Sequence, residues 1–177
     1  MHFEPNQIYH VYNRGNNKQP IFFTEANYLY FLQKIKTEWK KYADVLCYCL
    51  QNLSKTIGKT LSSYTKAVNI QNKTTGNLFQ KKNKAKLLIS QSALIENFST
   101  HEYLLTSFYY IHQNPLKAKL VNSLKDWQYS SYPDYYSNRK GTICNQALAI
   151  QLLELHEIDF KNTGLEELND DIIDRIF

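Results

Sequence analysis

Apolar residues recur along this chain with two different periods, and each change of period marks an element. Gln7 to Asn13 (QIYHVYN) alternates apolar and polar positions and predicts a strand, ended by Arg14-Gly15 and the polar turn NNKQP. His10 lies within it and reads first as a packed or hydrogen-bonded structural residue. From Thr24, an N-cap residue, the period becomes helical, with Tyr28, Phe31, Leu32, Ile35 and Trp39 at three- and four-residue spacing. Lys34, Lys36, Lys40 and Lys41 fall mainly outside that stripe. Ala43 to Leu50 (ADVLCYCL) is a short continuous apolar run and predicts a largely buried strand. Leu53, Ile57, Leu61, Tyr64 and Val68 then predict a second amphipathic helix, with Tyr64 on its core side. Gly58 weakens that helix by about 1 kcal/mol relative to alanine. After the turn Thr74-Thr75-Gly76 comes a strand-like stretch, NLFQKKNKAKLLIS, carrying Lys81, Lys82, Lys84 and Lys86. Four lysines in six residues read either as a lysine-protected edge strand or as a phosphate-contacting patch.

Tyr103 to Val121 (YLLTSFYYIHQNPLKAKLV) carries the clearest helical signal. Ser99 and Glu102 have capping-box spacing, and Tyr103, Leu104, Phe108 and Ile111 form a stripe for burial. The residue before a proline is pushed out of the α region, so Pro115 predicts an end near Asn114. Tyr110 and Asn114 are i and i+4 and share a face. A phenol and an amide one turn apart serve either as nucleophile and metal ligand or as a half-buried tyrosine and a helix-ending Asn-Pro. Beyond them Lys117, Lys119 and Lys125 lead to an aromatic turn whose Trp127, Tyr129 and Tyr132 are expected to pack back on the body. Asn138 to Gly141 reads as a linker, followed by a helix around Gln146 to His156 and an acidic end. The expected organisation is a body over residues 1–137 and a helical, acidic tail over 138–177.

A chain of 177 residues accommodates one domain with an appendage. No stretch approaches the roughly 18 apolar residues of a membrane span. MHFEPNQIYH lacks the basic start and apolar run of a secretion signal, and three cysteines make no even disulfide framework, so a reduced, cytoplasmic protein is expected. The net charge of +5 is uneven. Residues 1–153 hold 19 Lys+Arg against 8 Asp+Glu (+11), and residues 154–177 hold 2 against 8 (−6). A body at +11 favours a polyanionic partner, since each phosphate neutralised releases counterions. The 14 tyrosines and 9 phenylalanines, interleaved with lysine and amide residues, suit a surface that stacks unpaired bases, although many must be core.

Six segments together carry a resemblance: YHVYNRG (Tyr9 to Gly15), ADVLCYCL, SSYTKAVN (Ser62 to Asn69), GNLFQKKNKAKLL (Gly76 to Leu88), YYIHQNPLKAKLV (Tyr109 to Val121) and DWQYSSY (Asp126 to Tyr132). In this order, over roughly residues 7–133, the chain resembles the single-tyrosine transposases of small insertion sequences and, more closely, the REP-associated tyrosine transposases of the HUH superfamily. The resemblance implies an α+β fold with a ferredoxin-like or RRM-like antiparallel sheet, helices packed on it and a C-terminal helical tail. It implies action on single-stranded or hairpin DNA, no membrane, association with the nucleoid when bound, and room for a homodimer. Tyr110 matches the nucleophile that joins a DNA 5′ end as a phosphotyrosine. Asn114 matches the polar residue that helps to bind a divalent metal, Mg²⁺ or Mn²⁺, an ion that prefers oxygen ligands. Arg14, Lys81, Lys82, Lys84, Lys86 and Lys117 are the expected DNA contacts.

One part of the pattern is absent. The family carries a His-hydrophobic-His pair on the strand after the one matching ADVLCYCL, whereas this chain passes from Leu50 directly to Gln51-Asn52-Leu53. Its five histidines, His2, His10, His101, His112 and His156, are scattered. Either the strand is lost, leaving a DNA-hairpin-binding protein without the chemistry, or the sequence as written omits a segment of the polypeptide. Losing a central strand strips hydrogen bonds from both neighbours at about 1–3 kcal/mol per buried unpaired group, against a total stability of about 5–15 kcal/mol, which favours the omission.

Overall fold

The computed structural model describes residues 3–13, 15–16, 20–50, 58–79, 84–88, 99–137, 139–155 and 173, with the backbone alone at 58–60 and 84. Within them the protein is α+β. Strand β1 (Tyr9–Tyr12) pairs antiparallel with β2 (Lys84–Leu87), Tyr9 opposite Leu87 and His10 opposite Lys86. Gly15 bridges Phe79 on the same antiparallel course. Helix α1 (Glu25–Lys34) runs on through a wider π turn, Ile35–Trp39. Helix α2 (Gly58–Asn72), α3 (Thr100–Lys117), the short α4 (Tyr132–Tyr136) and α5 (Gln146–Leu153) follow.

Local chemistry accounts for the helix starts. Thr24 is the N-cap of α1, and Asn27 Oδ1 accepts from the backbone N–H groups of Phe23 (3.0 Å) and Thr24 (3.2 Å). The Asn27 Nδ2 then donates to Gln71 Oε1 on α2 at 2.9 Å, so one amide both caps α1 and ties it to α2. At α3 the expected capping box is present: Ser99 Oγ accepts from Glu102 N, and Glu102 Oε2 accepts from Ser99 N at 2.7 Å.

Two apolar clusters form the core. The first gathers Phe22, Phe31 and Ile35 with Leu61, Tyr64 and Val68 of α2 and with Leu78, Phe79 and Ile143. Tyr64 is fully buried, as its place in the stripe predicted, and its hydroxyl donates to the Ile21 carbonyl at 2.9 Å. The second gathers Tyr103, Leu104, Phe108 and Tyr109 of α3 with Ala149, Leu153 and Leu155. Helix α5 is thereby part of a shared core with the body.

Between the clusters lies the run 43–50. Val45, Tyr48 and Leu50 belong to the first cluster, and Leu46 and Cys47 to the second. That explains its unbroken apolarity, but the predicted ladder strand is not formed. Val45 makes an isolated parallel bridge to Cys144, and Cys49 an antiparallel one to Ser130. Leu50 N–H donates to Tyr129 O, Ser131 N–H to Tyr48 O (both 2.8 Å) and Asn145 N–H to Val45 O (2.9 Å). The flanking segments are too short and irregular to supply consecutive pairs, so the run is satisfied piecewise from both sides.

The predicted linker is likewise fastened at its described residues. Arg139 forms an ion pair with Asp134, whose side chain has no exposure, and also donates to the carbonyls of Gln128 and Ser130. Gly141 packs so tightly on the Asp134 carboxylate that a Cβ there would overlap it. The acidic end expected beyond His156 lies, Ile173 apart, outside the described residues.

Candidate functional site

Helix α3 positions the residues of interest. Tyr103, Leu104, Ser107, Phe108, Tyr109, His112 and Pro115 are buried, while Tyr110 and Asn114 are half-buried and Lys117 is exposed. The helix does not end at Asn114 as Pro115 predicted but continues to Lys117. Pro115 lacks the N–H that would meet the Ile111 carbonyl, and Asn114 Nδ2 donates to that carbonyl instead, at 3.4 Å. A proline one turn from the end leaves a single carbonyl to satisfy, and the neighbouring amide reaches it. Because the helix continues, Tyr110, Asn114 and Lys117 stand at i, i+4 and i+7 on one face. The Lys117 ammonium lies over the Tyr110 ring, 5.1 Å from its centroid. Burial raises the Tyr110 phenol above its ordinary pKa.

The opposite face of α3 is structural. His112 Nε2 lies 2.8 Å from Ser131 Oγ, which in turn donates to Tyr48 O (3.1 Å) and accepts from Tyr48 N (2.8 Å). The imidazole packs edge-on against Phe108, centroids 4.5 Å apart. Burial lowers its pKa to about 3, only partly offset by the Phe108 carbonyl, so it is neutral at physiological pH. His10 is also buried, as read from the sequence, and is lowered to about 4 by burial and then by Lys86 opposite it. His112 is thus engaged in the core, through Ser131, on the face of α3 away from Tyr110.

Of the remaining sequence-predicted contacts, two fall within a described element. Lys84 and Lys86 lie on β2, a separate element, and Lys86 is half-buried. Arg14, Lys81 and Lys82 lie outside the described residues.

No protein-family model, curated protein or solved structure matches this chain.

The aromatic side chains are used chiefly for packing. Tyr28 stacks on Tyr129 at 3.9 Å and Tyr132 on Tyr136 at 4.1 Å, while Trp127 Nε1 donates to Leu50 O at 3.2 Å. Tyr30 and Tyr42 remain exposed. Desolvation raises the cysteine thiols: Cys47 is pushed well above its usual value, and Cys144 up to about 12.

The described donor set does not fit the divalent metal implied by the resemblance. Among the described residues no three His, Cys, Asp or Glu side chains stand together, and His112, nearest to Asn114 in sequence, is turned into the core. An amide oxygen alone does not make a site for a divalent ion that takes six oxygen ligands. The Lys117–Tyr110 contact and the Arg139–Asp134–Gly141 clasp were not read from the sequence. The first carried a signal, the i+7 spacing, hidden by ending the helix at Asn114; the second joins residues across an irregular turn with no period.

Proposed function

We propose that the protein acts on single-stranded or hairpin DNA in the manner of a single-tyrosine transposase, with Tyr110 as nucleophile, on a ferredoxin-like core. The observation that carries this reading is the row of phenol, amide and ammonium on one face of α3, within the sequence block YYIHQNPLKAKLV. The basic body supports it, since +11 over residues 1–153 attracts a polyanion. In the reaction the Tyr110 oxygen attacks a phosphorus and loses its proton to solvent. The P–O3′ bond breaks, the departing 3′-oxygen takes up a proton, and the 5′ end stays on the tyrosine. Rejoining reverses the step with a new 3′-hydroxyl, so no nucleotide cofactor is consumed.

A second reading has its own support. The chain has no His-x-His pair, and among the described residues the run 43–50 is bonded by residues 129–131 and 145. A protein so built binds DNA but does not cut it. The two readings part on Tyr110→Phe. For a nicking and joining enzyme, a hairpin oligonucleotide incubated with and without Mn²⁺ gives a denaturation-resistant protein–DNA adduct with the parent. Tyr110→Phe removes the adduct and leaves affinity within about threefold, because it deletes one hydroxyl from an interface held by phosphate contacts. Salt-sensitive binding with no adduct in the parent selects the binding protein, and no binding at low salt removes both.

A further inference from the structure

Lys117 is solvent-exposed and on a long side chain, yet its ammonium rests over the ring of the tyrosine seven residues earlier. The backbone beneath it is fixed from both directions. On the N-terminal side the Asn114 amide mends the gap left by Pro115. On the C-terminal side the chain closes in a Schellman turn: Leu120 N–H bonds to Pro115 O and Lys119 N–H to Leu116 O, both at 2.9 Å, with Lys119 in the left-handed region at φ +57°. A half-buried phenol ring and a cation are thus presented together at the end of one helix. A ring face is a weak partner for an ammonium, about 0.5–1 kcal/mol at an exposed site, whereas charge-assisted hydrogen bonds to phosphate oxygens are markedly stronger. An arriving phosphate therefore draws the ammonium off the ring and is brought beside the phenol.

We infer that Lys117 is the cation that seats one particular DNA phosphate against the Tyr110 hydroxyl, leaving the ring for a non-bridging phosphate oxygen. The inference rests on the single-stranded DNA reading of the protein but not on cleavage. It makes Lys117 different in kind from the other lysines, which contact the backbone without choosing a phosphate.

The test is binding of a hairpin oligonucleotide to the parent, Lys117→Gln and Lys117→Arg over a range of salt concentrations, followed by a set of oligonucleotides with one uncharged methylphosphonate linkage each. Lys117→Gln should weaken binding and reduce the slope of log K against log salt by about 0.7, the value of one single-strand phosphate contact, with Lys117→Arg restoring the slope. At one linkage, neutralisation should cost the parent about three- to tenfold and Lys117→Gln nothing further, since the pair is already broken. An unchanged slope in Lys117→Gln, or equal sensitivity of parent and variant at every linkage, overturns the inference and leaves the DNA reading standing. A weaker Lys117→Gln with the parental slope marks a structural role and also overturns it. Failure of the parent to bind single-stranded DNA at low salt overturns both.

Discussion

His10 and His112 show how burial, as the largest effect, decides the state of a side chain. Both have folded-state pKa values, about 4 and about 3, below the ordinary 6.5 of an exposed histidine. Between these values the unfolded chain binds protons that the folded protein refuses, so stability rises with pH across the window. Their contribution is fully present above about pH 6.5 and is lost as pH falls, each group at up to about 1.4 kcal/mol per pH unit. Urea unfolding at pH 7, 6 and 5 should therefore show a falling midpoint, with His112→Asn giving a shallower dependence than the parent. Identical pH dependence in the two proteins would show that His112 is not held neutral by the fold. The packed role of His10 was legible because a lone histidine on a half-buried strand has few alternatives. The position of Lys117 was not, since the local rule for residues preceding proline ends the helix before it, and a side-chain amide overrides that rule.

Three helix C-termini follow one scheme. Helices α2 and α3 close with a lysine in the left-handed region, Lys73 at φ +54° and Lys119 at φ +57°, and α5 with Glu154 at φ +48°. Thr74 N–H to Asn69 O at 2.9 Å repeats at α2 the six-residue turn seen after α3. Glycine is the usual residue at such a position because it has no Cβ to crowd the carbonyl. Lys119→Gly should raise stability by about 0.5–1 kcal/mol, or about 1–4 °C in Tm for a protein of this length. A lower Tm in that variant would mean that the lysine side chain makes a contact outweighing the strain. At this scale the sequence spoke clearly where side chains dictate the backbone: the Ser99–Glu102 box, the α3 stripe and the α1 start were all legible. It misled at 43–50, where apolarity on both faces reports two neighbouring cores, and composition alone does not distinguish that from a strand within a sheet.

For the whole molecule, the two cores are joined by the run 43–50 and by the turn that carries Asp134, Arg139 and Gly141. An aspartate without exposure is tolerated because Arg139 meets it and Gly141 leaves it room. Gly141→Ala should cost about 2 kcal/mol or more by forcing the turn off the carboxylate, and Arg139→Ala about 3 kcal/mol by leaving a buried charge unmatched. Unfolding within 0.5 kcal/mol of the parent for both variants, on the order of a neutral surface change, would show that the turn is loosely attached. Read from sequence, this region resembled a linker because its asparagine, glycine and polar residues are those of a turn. The clasp depends on residues brought together by the fold.

The most direct test of the account is peptide mapping of the protein after incubation with a hairpin oligonucleotide, nuclease trimming and trypsin digestion. Residues 87–117 form one tryptic peptide containing Tyr103, Tyr109 and Tyr110. A nucleotide remnant is expected on Tyr110, the half-buried phenol beside Lys117, and none on the buried Tyr103 and Tyr109. An unmodified peptide from a protein that binds the same DNA, or a remnant on Tyr109, would contradict it.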